Sequence, residues 1–131
     1  MKAFRSDDFA TALKEWRPLA EQGNAKAQSG LGYLYDKGKG VTQDDAEALK
    51  WYRKAAEQGI AFAQNKLGVM YSKGIGVTRD YAEALKWYRK AAEGGKVEAQ
   101  FAVAVALERG DGCEPDPEHA IDWYTLSLIH I

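Results

Sequence analysis

Apolar residues recur along this chain with helical spacing. Ala27, Leu31, Leu34 and Tyr35 fall at i, i+4, i+7 and i+8, which is one face of a helix. Gly38 and Gly40 interrupt the stripe. Asp44 then offers an N-cap, and Glu47 three residues later completes a capping box. A second stripe, Ala48, Leu49, Trp51, Tyr52, Ala55 and Ala56, runs up to Gly59. One unit is therefore helix A, a glycine loop, helix B and a tight turn. The same spacing predicts further helices near 61–73, 80–93, 97–109 and 116–125, and one near 7–21. Loops are expected at 38–43, 74–79 and 110–115. Seven helices follow, each about 21 Å long.

The unit is repeated. The 36 residues from Gly23 and the 36 from Gly59 share 25 identical positions. A third block from Gly95 keeps Ala99, Gln100, Gly110, Gly112, Asp116, Ala120, Trp123 and Tyr124 in phase. Leu13, Trp16, Ala20 and Glu21 stand 36 before Leu49, Tyr52, Ala56 and Glu57, so half a unit precedes the first. The boundaries are a half-repeat at 7–22 and repeats at 23–58, 59–94 and 95–125, all within one solenoid over 1–125. A period of this length means stacked supersecondary units, here an all-α superhelical solenoid. Gly32 and Gly68 lie inside helix A, where glycine costs about 1 kcal/mol against alanine. That cost points to close approach of a neighbouring helix; Ala104 takes the place in the third unit. Trp51 and Tyr52 are expected to cover the seam between adjacent repeats.

Composition narrows the function. With 18 Lys+Arg against 19 Asp+Glu, the net charge is −1, which argues against a duplex nucleic-acid binder. Apolar residues at 46% and charged ones at 28% fit one globular domain. No window of about 18 apolar residues exists to span a membrane. The single cysteine, Cys113, excludes an intrachain disulfide. There is no HExxH, CxxC or G-x-S-x-G, and Gly32 to Gly38 is one residue too long for a phosphate-binding loop. Asp111, Cys113, Glu114, Asp116 and His119 lack a recurring metal-ligand spacing and are better taken as a polar inter-helix loop. Arg109-Gly110-Asp111 spells an integrin-type tripeptide, but Gly110 is simply the loop glycine of the third unit. The expectation is no catalytic residue, no cofactor and no metal.

The motif resembles a known family. Ala27, Gln28, Leu31, Gly32, Tyr35, Gly38, Gly40, Val41, Asp44, Ala48, Trp51, Tyr52, Ala55, Ala56 and Gly59 together look like the Sel-one-like repeat, a relative of the tetratricopeptide repeat. The second unit repeats the motif from Ala63 and Gln64 to Ala92 and Gly95. The third departs at Ala104, Leu107 and Cys113, which replace glycine, tyrosine and valine. The resemblance implies a non-catalytic scaffold or adaptor for a protein or peptide, mostly bacterial for repeats this regular. A secreted branch of the family staples its repeats with cysteine pairs, which this chain lacks. The alternative is an accessory or catalytic part of a cell-envelope hydrolase-type system, for which no nucleophile–base pair is visible.

The first two units differ in helix B only at Asp45 against Tyr81, but in and around helix A at Asn24, Lys26, Ser29, Gly30, Tyr33, Leu34 and Asp36. Helix A lines the concave side in tetratricopeptide-like folds, so the resemblance directs binding to its varied face. The expected protein-binding residues are Lys26, Tyr33, Phe62, Asn65, Lys66, Val69, Glu98 and Phe101. Tyr33, Phe62 and Phe101 would be the anchors, Lys26 and Lys66 would steer charge, and Lys50 and Lys86 would lie on the convex side. Free drift at exposed positions is the competing account of that variation. After Tyr124 the phase fails and the chain reads Leu126-Ser127-Leu128-Ile129-His130-Ile131. This hexapeptide resembles the translation of a transposon-end sequencing adapter, so 126–131 is expected to be a non-native tail on a fragment. A divergent last helix is the alternative. No secretion signal precedes the half-unit, which makes the chain cytoplasmic as given. A periplasmic or secreted protein stays open if the true start lies upstream.

Overall fold

The computed structural model describes residues 6–129. They form seven helices: α1 (Ser6–Glu21), α2 (Ala25–Lys37), α3 (Asp45–Glu57), α4 (Ala61–Lys73), α5 (Tyr81–Glu93), α6 (Val97–Arg109) and α7 (Pro117–Ile129). There is no strand among the described residues. The helices fall where the apolar period places them, except that α7 continues four residues past its expected end at 125. Nothing in Leu126–Ile129 opposes a helix, and Ser127 is buried at the register of Ala91, where a small residue fits. His130 and Ile131 of the expected tail lie outside the described residues.

Local chemistry sets the helix ends. Asp44 and Asp80 each accept from the backbone N–H three residues on, at 3.1 Å, and Asn24 does so at 2.9 Å. Each A helix (α2, α4, α6) stops at a left-handed glycine, Gly38, Gly74 or Gly110, with φ of 65°, 70° and 77°. The second glycine of each loop is there for another reason. A Cβ on Gly40, Gly76 or Gly112 would lie 2.7, 2.9 or 2.6 Å from backbone atoms of Ala10, Asp45 or Tyr81. The loop therefore rests directly on the start of the preceding B-type helix, and Gly-x-Gly is a stacking device.

Within each repeat A packs on B, and each B helix packs on the next A. α2 also touches α4, and α4 touches α6, whereas among the described residues no two B-type helices meet. The A helices thus occupy the tighter, inner side of the superhelix. The helix that crowds Gly32 belongs to its own repeat, and the contact is an aromatic ring. A Cβ there would sit 2.6 Å from the Tyr52 ring, and one on Gly68 would sit 2.6 Å from that of Tyr88. Tyr52 is fully buried and meets Phe62 of the next repeat edge-on at 6.0 Å, which seals the seam as expected.

Two polar devices recur between repeats. Gln28, Gln64 and Gln100 are buried, and their Nε2 atoms donate to the carbonyls of Ala20, Ala56 and Ala92 at 3.1, 3.1 and 3.2 Å. Those carbonyls belong to the last turn of the preceding B-type helix and also accept from the backbone N–H of Gly23, Gly59 and Gly95, so each glutamine is a second donor. Arg17 donates to the Tyr35 hydroxyl and Arg53 to that of Tyr71, each guanidinium also lying over the ring.

Candidate functional site

The inner face is not equally open in the three units. In the first, Lys26 is exposed, Ser29 is buried and Tyr33 is half-buried against the core. Gly30 closes onto Trp16, whose ring would lie 2.7 Å from a Cβ. In the second, Phe62 is half-buried against Tyr52, and Lys66 and Lys96 place their ammonium groups 5.5 and 5.4 Å from its ring centre. Asn65 is half-buried, with Oδ1 enclosed and without a hydrogen-bond partner; Val69 is half-buried beside it in sequence register. In the third, Glu98 and Phe101 are exposed, Phe101 by 55%. Its ring stands edge-on to Tyr124 at 5.5 Å.

Phe101 borders a groove of about 320 Å³ between α5 and α6. Leu85, Tyr88, Ala102 and Val105 form its walls, and Tyr81 stands with Phe101 among its lining. Ser72, Arg109 and Asp111 supply its polar part. The repeat itself explains the opening. Glu98, Ala102, Ala106 and Asp111 occupy the positions that Phe62, Lys66, Met70 and Ile75 hold one unit earlier. Four large or long apolar-bodied side chains at the first junction become two alanines and two acids at the second.

The groove brings together only Phe101 of the eight expected binding residues. Its other wall comes from α5, a B helix that repetition marked as scaffold. A signal was present: Tyr81 is the one position at which α5 differs from α3, and it is exposed beside the groove.

Burial pushes the Tyr88 phenol above its ordinary pKa, with Ser72 opposing. Burial first, then the Asp36 carboxylate at 3.2 Å, raises that of Tyr52. A second cavity, of about 210 Å³, is lined by Arg89, Leu107, Asp116, His119 and Trp123. His119 Nδ1 lies 2.6 Å from Asp116 Oδ2, and Cys113 Sγ donates to the Ala106 carbonyl at 3.7 Å. Among the described residues no three His, Cys, Asp or Glu side chains group as a metal site, and no helix is long and apolar enough to cross a membrane.

Comparison with known proteins gives one consistent result. The Sel1 repeat model matches residues 25–60, 61–96 and 97–128. A Sel1 repeat protein from Oxalobacter formigenes is 42% identical with a TM-score of 0.88, over 92% of this chain and 50% of that one. The antigen c5321, a protective antigen present in uropathogenic Escherichia coli strains and displaying an SLR fold, is 40% identical with a TM-score of 0.89, over 92% of this chain and 26% of that one. Cysteine rich protein B of Helicobacter pylori shares the fold at 16% identity and a TM-score of 0.71, over 96% of this chain and 90% of that one. No match was found among curated proteins. The chain spans about half the length of the first of these structures and a quarter of the second. Matched over three consecutive repeats and by solved structures above 40% and at 40% identity, the chain belongs to the Sel1 repeat family.

Proposed function

We propose that this chain is a protein-binding scaffold that holds a polypeptide along the inner, A-helix side, with the groove between α5 and α6 taking an apolar side chain. Sel1 repeats generally serve as protein-interaction scaffolds, and the fold here is theirs. The observation that carries the reading is the groove itself: about 320 Å³, lined by a 55%-exposed Phe101. A large exposed aromatic beside a recess is the usual anchor of a binding patch. Lys26, Tyr33, Phe62, Asn65, Lys66, Val69 and Glu98 extend the same side across the earlier repeats, so a bound segment would cross at least two units. Lys26 and Lys66 would steer an acidic partner, with an effect that fades in salt.

The test starts from peptides selected against the folded chain from a displayed library. Phe101→Ala should weaken a selected peptide by about 1–2 kcal/mol, whereas Lys50→Ala and Lys86→Ala should change it little. Peptides that ignore Phe101→Ala, Phe62→Ala and Tyr33→Ala but lose affinity with Lys50→Ala would move the working face to the B-helix side.

A further inference from the structure

The third repeat lacks a side chain that the first two use, and the space it would fill is open. Tyr35 and Tyr71 are buried, each receiving a hydrogen bond from the arginine 18 residues before it. Leu107 stands at their position, and Arg89 stands where Arg17 and Arg53 do. Leu107 is itself buried but is shorter than tyrosine and carries no hydroxyl to accept from the guanidinium. What remains is the cavity of about 210 Å³ lined by Arg89, Leu107, Asp116, His119 and Trp123. These five occupy the positions of Arg53, Tyr71, Asp80, Glu83 and Trp87 one unit earlier. The exposure pattern agrees. Trp51 and Trp87 are each 3% exposed, while Trp123 is only half-buried; Arg53 is half-buried, while Arg89 is exposed.

We propose that this slot between α5, α6 and α7 is a phenol-binding site, which takes the tyrosine side chain of a bound polypeptide with its hydroxyl toward Arg89, as those of Tyr35 and Tyr71 face Arg17 and Arg53 in the earlier units. The ring would lie on Leu107 and against Trp123, and Arg89 would donate to its hydroxyl. An aromatic side chain suits the slot better than an aliphatic one because the guanidinium can also lie over the ring, as it does 5.5 Å above Tyr71. The charge balance argues for a neutral hydroxyl over an anion. Besides Arg89, the neighbourhood of the slot holds His119 with the carboxylates of Asp116, Glu118 and Asp122 around it. A carboxylate or phosphate ligand would meet those acids, whereas a phenol meets no such repulsion. This site is separate from the groove between α5 and α6 where Phe101 lies, so either can fail without the other.

The experiment uses the full chain and three probes: p-cresol, toluene and N-acetyltyrosinamide. Binding is followed by the NMR shifts of the Leu107 methyls and the Trp123 indole N–H. The expected result is saturable binding of p-cresol at least about tenfold tighter than toluene, since only the phenol accepts from the guanidinium. N-Acetyltyrosinamide should bind at least as well as p-cresol. Leu107→Tyr should abolish p-cresol binding by supplying the ring from within, as its sister units do. Arg89→Met should reduce p-cresol to the level of toluene. Equal affinity for toluene and p-cresol, no saturable shift with p-cresol, or unchanged binding in Leu107→Tyr would overturn the site. Binding of p-cresol with exclusion of N-acetyltyrosinamide would overturn its assignment to a polypeptide side chain.

Discussion

A single missing carbon decides how tightly each repeat closes. Gly32 and Gly68 admit the rings of Tyr52 and Tyr88, and the distance left to a Cβ, 2.6 Å, is shorter than real side chains tolerate. Gly68→Leu should lower stability by at least about 1–3 kcal/mol, read as a drop in thermal midpoint. Gly68→Ala should cost less, because Ala104 shows that the third unit accommodates a Cβ at this register. A Gly68→Leu protein melting with the parent would separate the glycine from the ring contact. The Asp116–His119 pair sets a pH dependence of its own. His119 is raised above its ordinary 6.5 chiefly by its hydrogen bond to Asp116. Asp116 is lowered below its ordinary 3.8 by the His119 backbone N–H and then by the ring. The histidine's contribution is fully present below 6.5 and is lost as pH climbs through the higher folded value. The aspartate's is present above 3.8 and is lost as pH falls through the lower folded value. Both groups lie at the surface, so the effect is small. In an NMR titration His119 should show a midpoint above 6.5 that falls in Asp116→Asn.

At the scale of elements, the helices were legible in the sequence and the groove was not. Period, caps and loop glycines are local signals, and each A helix starts and stops where they place it. The groove depends on subtraction across a distance. Ala102 and Ala106 look like ordinary small helix residues until α5 is set beside them and the space of Lys66 and Met70 is seen to be empty. Phe101 was visible because it is large and unrepeated. Tyr81 is visible as a difference, but the rest of α5 copies α3 and hides its significance. The slot at Arg89 is hidden for the same reason: Leu107 departs from the repeat, and only packing shows which guanidinium lost its tyrosine. α7 differs from the other B helices in its apolar outer side, where Ile121, Leu128 and Ile129 are 63, 68 and 72% exposed. Replacing Leu128 and Ile129 by Gln should leave the melting temperature within about 2 °C, because neither is buried, and should reduce self-association seen by light scattering. A large fall in stability would show that these residues are packed.

For the whole molecule, each unit packs most closely within itself, A on B, and then on the units either side. The core runs from Ala20 to Trp87 in one cluster and from Leu85 to Ala120 in a second, with Tyr88 packed against both. Stability in such an array is a sum of unit and interface contributions, and helices with a neighbour on one side only open first. In this 131-residue polypeptide, amides of α1 and α7 should exchange with solvent sooner than those of α4. Uniform protection along the chain would mean that the solenoid opens as one block.

The glutamine contact also governs how the molecule tolerates change in length. Gln64 completes a hydrogen bond for Ala56, and Gln100 for Ala92, so every unit presents to the next the same acceptor that it was itself offered. An in-register duplication of 59–94 would insert a unit whose two ends already match, with no new interface to evolve. An insertion of any other length inside a helix would rotate the glutamine away and leave its buried amide without that acceptor. Growth and loss by whole repeats are thus the changes in length that this architecture absorbs with least damage.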